Sequence, residues 1–143
     1  MKFFNKKEIW ELSAIEISKC IKLEKISCYD TVMAFIKRLK NIDKKTNALA
    51  YNCFDEAIEL AKKYDIRYQK LKMDKKLDIL PIFYGVPVVI KESIELKNKP
   101  LTFGCIKNKN KIGKNTSLAC KRLISNGMII IGAGNLSEGC FWV

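Results

Sequence analysis

A chain of 143 residues has the size of one domain, and its formal charge of +12 comes from 27 Lys and Arg against 15 Asp and Glu. Arg38, Arg67 and Arg122 are the arginines and the other 24 basic residues are lysines scattered along the sequence; the arginine forks and interleaved aromatics of a nucleic-acid reader are missing, so the excess reads as a solvated face. Histidine is absent, which excludes a Ser-His-Asp relay, a Cys-His dyad and a histidine metal site built from these residues.

Ser13 and Glu16 form a capping box ahead of Ile17, Cys20 and Ile21, which share one helical face. A second helix starts at Ser27, with Asp30 in its first turn and Val32, Phe35, Ile36, Leu39 and Ile42 recurring at helical spacing. Ala48 to Phe54 reads as a short strand. Asp55 is placed to cap a third helix running to about Lys72, with Ala57, Leu60, Ala61, Tyr64, Tyr68 and Leu71 inward. After a polar loop at Met73 to Asp78 comes Val86 to Ile90, nearly continuous apolar sequence rich in β-branched residues, as in a strand covered on both faces, with Gly85 and Pro87 marking its entry.

Leu101 to Ile106 reads as a further strand and Lys107 to Lys114 as a polar loop. Thr116 or Ser117 then caps a helix whose apolar side is Leu118, Cys120, Leu123 and Ile124, with Asn126-Gly127 as a left-handed exit. Met128 to Ile131 is a second fully apolar strand. Helix between two buried strands means a parallel crossover, so the fold class is α/β, a layered sheet with the N-terminal helices packed outside it.

The apolar run ends on Lys91. At the end of a buried strand an ammonium loses hydration and yields a neutral amine that can act as a base. On composition alone, a lysine snorkelling to water is the simpler reading. Glu92 follows it and, because neighbours on a strand point to opposite faces, has a structural or orienting role. Gly132-Ala133-Gly134-Asn135 invites a dinucleotide reading, but Ser137 stands where a third glycine belongs, so a tight structural turn is expected. Glu138 carries no readable constellation. The cysteines at 20, 28, 53, 105, 120 and 140 contain no C-x-x-C pair, and several fall at apolar helical positions, as buried free thiols do. Met1 to Lys7 lead into no apolar signal region, and no apolar stretch approaches the ~18 residues of a bilayer span. A cytoplasmic protein without a transmembrane segment, cofactor or specific nucleic-acid partner is therefore expected.

Glu11 to Ile17 with the helix after Ser27, then Gly85-Val-Pro-Val-Val-Ile-Lys91-Glu92, Leu101-Thr-Phe-Gly104, Leu123 to Gly132 and Asn135-Leu-Ser137-Glu138 follow one another in an order and spacing that resembles the N-terminal part of the amidase signature family. The similarity covers nearly the whole chain. Glu92 and the segment Asn135 to Trp142 are most similar to the fatty-acid amide hydrolase branch and related amidases; the amidase components of tRNA-dependent amidotransferases share the scaffold but usually carry aspartate at the position of Glu92. The resemblance implies an α/β/α layered fold with a mixed, largely parallel sheet and outer N-terminal helices. It also implies hydrolysis of a carboxylic amide, with Lys91 as base and then acid of a Ser-Ser-Lys triad. No Gly-Gly-Ser-Ser stretch occurs in residues 1–143, and Gly132-Ala133-Gly134-Asn135 replaces the common Gly-Lys-Thr-Asn. The expectation is a single incomplete domain over 1–143, with 1–46 a helical N-terminal segment and 47–143 the start of the α/β core. It would be inactive alone and act on a small-molecule amide only when completed by downstream sequence. The first alternative is a non-catalytic truncated remnant or interaction module that self-associates through uncovered apolar surface, and ranked after it are a fragment of a tRNA-dependent amidotransferase A subunit and a basic nucleic-acid binder.

Overall fold

The computed structural model of the protein describes residues 8–141. A 3-10 turn at Ile9–Glu11 leads into α1 (Ala14–Lys22), where the capping box forms as expected: Ser13 Oγ accepts from the Glu16 amide at 3.3 Å and Glu16 Oε2 from the Ser13 amide at 2.7 Å. Helix α2 (Cys28–Thr46) is capped by Ser27, whose Oγ accepts from the Asp30 amide at 2.8 Å. A second anion reaches the same helix end from a distance. Asp65 accepts from the amides of Cys28 and Tyr29 at 2.8 and 3.0 Å, which satisfies open donors of the first turn and places negative charge at the positive end of the helix. At the other end Asn47 turns left-handed (φ 47°), and Asp43 Oδ1 accepts from the Ala48 and Leu49 amides, directing the chain into β1 (Leu49–Asn52).

Helix α3 (Phe54–Met73) begins two residues earlier than the sequence suggests, with Cys53 rather than Asp55 at its cap. The Cys53 amide still belongs to the sheet, donating to the Ile131 carbonyl at 3.0 Å, while its carbonyl already accepts from Ala57. Strand passes directly into helix, and Asp55 and Glu56 become first-turn anions. Strand β2 (Pro87–Lys91), helix α4 (Leu118–Ser125) and strand β3 (Ile129–Gly134) form the expected parallel crossover. Ser117, rather than Thr116, caps α4, accepting from the Cys120 amide at 3.3 Å. Gly127 (φ 86°) closes α4: its amide reaches the Ile124 carbonyl and the Met128 amide reaches Leu123, the paired bonds of a Schellman ending.

The sheet order is β1-β3-β2, with β1 antiparallel and β2 parallel to the central β3. Helices α1 to α3 cover one face through Ile17, Ile21, Val32, Ile36, Ala57, Ala61 and Tyr68, packed with Tyr84, Val86, Ile129 and Ile131. On the other face Cys120 of α4 and half-buried Leu123 meet Ile90, Ala133 and Ile130. Tyr84 is fully buried; its ring stacks on Tyr64 with centroids 4.5 Å apart, and its hydroxyl donates to the Tyr64 carbonyl at 2.8 Å. No helix among the described residues is long and apolar enough to cross a membrane.

Three further expectations are corrected. Leu101 to Ile106 is not a strand: Phe103 (φ 54°) and Gly104 (φ 67°) are left-handed, which breaks the extended ladder, and pairing in this arm shrinks to a single bridge between Pro100 and Ile112. Gly132 to Gly134 is not a turn but the end of β3, held on both sides by neighbouring strands. Strand β2 is not covered on both faces: Ile90 packs with Cys120 on one, whereas Val89 (39% exposed) and Lys91 stand open on the other.

A Cβ at left-handed Gly127 would lie 2.8 Å from the Tyr84 Cα, so Gly127→Ala should cost about 2 kcal/mol or more in urea unfolding. At Gly134 an added Cβ meets nothing nearer than 3.7 Å, so Gly134→Ala should change stability by less than about 1 kcal/mol. The ion pair between Lys99 Nζ and the Glu56 carboxylate ties the 97–113 arm to the start of α3. The bond from Lys99 holds the Glu56 carboxyl below its usual range, and the same bond raises Lys99. A lowered acid stabilises above its unfolded pKa and a raised base below its own, so the contribution should persist from about pH 5 to about pH 10. It should fade as Glu56 protonates below that window and as Lys99 deprotonates above it. Glu56 is largely exposed, so a Glu56→Gln/Lys99→Met double-mutant cycle should give less than about 1 kcal/mol at neutral pH.

Candidate active site at the carboxyl ends of the parallel strands

Register fixes what lies beside Lys91. Tyr51, Ala133 and Ile90 sit opposite one another across the three strands, and their side chains pack on the α4 face. The next row is Leu49, Gly134 and Lys91. Side chains alternate along a strand, so Lys91 leaves the sheet on the face opposite Ile90. Its neighbour in that row, Gly134, has no side chain to cover it. Lys91 is exposed, and its ammonium has no hydrogen-bond or ion-pair partner among the described residues. The burial expected from the apolar run is thus not supplied by the described residues, because the face of β2 that carries Val89 and Lys91 is open. What the fold does supply is a basic side chain at the carboxyl ends of two parallel strands, beside open glycine backbone, where ligands of α/β sheets characteristically bind.

Glu92 returns to the α4 side and is 1% exposed. Its amide extends the ladder, donating to the Gly134 carbonyl at 3.1 Å. Its carboxylate accepts from two successive backbone amides: Oε1 from Thr102, by a short bond, and Oε2 from Phe103 at 2.9 Å. Lys91 and Glu92 therefore divide the strand end between the two faces, and an orienting role fits Glu92. The partners of Glu92 were not legible in advance, since a loop amide ten residues away leaves no periodic signal. Glu138 also has a partner that the sequence did not reveal: it faces the thiol of Cys105, which partial burial pushes up and the Glu138 carboxylate raises further.

Tyr51 shares the α4 face with Glu92, and its phenol is raised first by desolvation and then by neighbouring Cys53, Cys120 and Glu92. Cys20, Cys28, Cys53 and Cys120 are buried free thiols, and burial raises Cys28 and Cys53 above the ordinary thiol range. Such thiols are packing elements rather than nucleophiles. Among the described residues no group of three or more Cys, Asp or Glu is placed to hold a metal ion. A cleft of about 600 Å³ between the end of α2 and β1, lined by Lys40, Asp43, Lys44, Tyr51, Asn52 and Phe54 among others, contains neither Lys91 nor Glu92. It lies along β1, at the other edge of the sheet from β2.

Glu92→Gln should destabilise the chain by about 1 to 3 kcal/mol, because an amide side chain offers one acceptor oxygen where two buried backbone donors require two. Urea unfolding of the two proteins measures it directly.

Residues 30–143 match the profile of the family described as Amidase. The chain is 30% identical over 132 residues to human fatty-acid amide hydrolase 2, an alignment covering 92% of this chain and 25% of that protein. It is 29% identical over 133 residues to indoleacetamide hydrolase from Bradyrhizobium diazoefficiens, covering 93% and 24%. Among solved structures, a bacterial aryl acylamidase of the amidase signature enzymes superposes with a TM-score of 0.79 at 25% identity, covering 90% of this chain and 26% of that one. The chain thus spans about a quarter of the length of the relatives it matches. The family profile, the sequence relatives and the superposition agree on one assignment: the chain belongs to the amidase signature family and corresponds to its N-terminal part.

Proposed function

We propose that residues 1–143 supply the N-terminal portion of a hydrolase that cleaves the C–N bond of a carboxylic amide, as one incomplete domain with a helical segment over 1–46 and the start of the α/β core over 47–143. The observation that carries this reading is the position of Lys91, at the carboxyl end of β2 and in register with side-chain-free Gly134. In the proposed reaction, neutral Lys91 takes a proton through a bridging serine and a second serine attacks the amide carbonyl. The lysine then returns the proton to the leaving amine, and water hydrolyses the acyl-enzyme to acid and free serine. Both serines and the oxyanion donors belong to a Gly-Gly-Ser-Ser segment that residues 1–143 do not contain. Lys91 alone has no nucleophile to activate, so these residues by themselves are inactive.

A second reading, a non-catalytic interaction module, draws support from exposed apolar side chains: Ile82, Val89, Ile112 and Phe141 all stand open to solvent. Such a surface favours self-association or cover by another polypeptide, and light scattering on the 143-residue chain separates an associating module from a monomer.

A fluorogenic amide tests the first reading. Residues 1–143 should give no turnover above a Lys91→Ala control. In a chain that continues into the serine-bearing segment, Lys91→Ala should lower kcat/KM by about 10²- to 10⁴-fold. Turnover by residues 1–143 that disappears in the Lys91→Ala control would overturn the inactivity, and full turnover by the longer Lys91→Ala chain would overturn the role of the lysine.

A further inference from the structure

Glu92 is the one acidic or basic side chain in the buried interior of the described residues. A carboxylate is costly to bury unless donors meet it. Here the donors come from a single stretch of backbone, the successive amides of Thr102 and Phe103. Successive amides converging on an anion form a nest, the arrangement by which loops bind carboxylates and phosphates. The chain's own carboxylate occupies this one.

The loop so held is strained and does not stand alone. Phe103 and Gly104 are left-handed, as are Gly139 and Cys140 in the segment that follows β3. The two segments press backbone to backbone: the Gly139 amide donates to the Phe103 carbonyl at 2.7 Å, and a Cβ on Gly104 would lie 3.0 Å from the carbonyl oxygens of Leu136 and Ser137. A non-glycine residue such as Phe103 keeps a left-handed conformation only where its surroundings over-determine it, and such residues gather at ligand-binding sites. The first segment follows β2 and the second follows β3 in the chain, and the carboxylate that holds the first belongs to Glu92, the residue after Lys91.

We propose that Glu92 is a positioning residue: its carboxylate acts as an internal ligand that fixes the 102–104 loop and, through Phe103, the 137–140 segment as one wall of the amide site. This rests on the amidase reading for what the wall borders, whereas the clamp itself can be measured in the chain as it exists.

Amide hydrogen exchange by NMR provides the test. In Glu92→Ala, the amides of Thr102, Phe103 and Gly139 should exchange about tenfold faster or more, while Gly85 and Ile129, bonded to Gly127 and Val86, keep their protection. Gly139 is the informative position, since it never touches Glu92. Added formate, a carboxylate small enough for the emptied nest, should restore protection at all three amides, which repair of a merely packed side chain would not do. Glu92→Gln, which preserves volume, should release one of the two clamped amides and loosen Gly139 less than Glu92→Ala does. Unchanged exchange at Gly139, an equal rise at all five amides, or no response to formate would each overturn the proposal. Lys91→Ala, the variant that tests the amidase reading, should leave the five amides as in the parent, so failure of the clamp and failure of that reading are separate results.

Discussion

A carboxylate removed from water must be met by donors, and in this protein that requirement fixes the end of a strand. Glu92 is buried directly after the last residue of β2, and the two amides that meet it come from a loop ten residues on. The loop cannot then run as a strand. Its backbone turns left-handed at Phe103 and Gly104 so that consecutive amides face the same carboxylate, and the Phe103 carbonyl is presented to the segment beyond β3. One buried charge therefore joins three stretches of chain that are remote in sequence, and it does so beside the exposed lysine on which the proposed chemistry depends.

The rest of the fold holds that strand end in place. Strand β3 lies between β1 and β2 and is covered by α1 to α3 on one face and by α4 on the other, so its register is fixed by packing on both sides. Pairing of Lys91 with Gly134 follows from that register and gives the lysine a neighbour without a side chain. The helical face is fixed in turn by side chains that bond across elements: Asp65 of α3 on the first amides of α2, the Tyr84 hydroxyl on the Tyr64 carbonyl, and the Tyr68 hydroxyl on the Lys22 carbonyl at 2.9 Å.

Much of this was legible in the sequence where the signal was local. The Ser13 and Ser27 caps, the long amphipathic helix α2 and the strand-helix-strand crossover whose first strand ends on Lys91 all rest on period and capping within one segment, and all are present. What escaped was non-local. The cap of α3 moved to Cys53 because the sheet ladder extends to that amide. Leu101 to Ile106 has strand composition, but the demand of Glu92 for two successive amides overrides it. Gly132 to Gly134 reads as a turn from sequence because glycine signals one, whereas at Gly132 it marks close backbone approach: a Cβ there would lie 2.8 Å from the Tyr51 carbonyl oxygen. The exposure of Lys91 depends on what covers its face of β2, which no residue in the strand encodes.

A through-hydrogen-bond scalar coupling between backbone nitrogen and carboxyl carbon, measured on the ¹⁵N,¹³C-labelled chain, observes the Glu92 clamp without perturbing it. Correlations from the Thr102 and Phe103 amides to the Glu92 side-chain carboxyl carbon are the expected result. Their absence, with both amides exchanging as freely as those of exposed loops, would contradict the buried carboxylate as the organiser of this site.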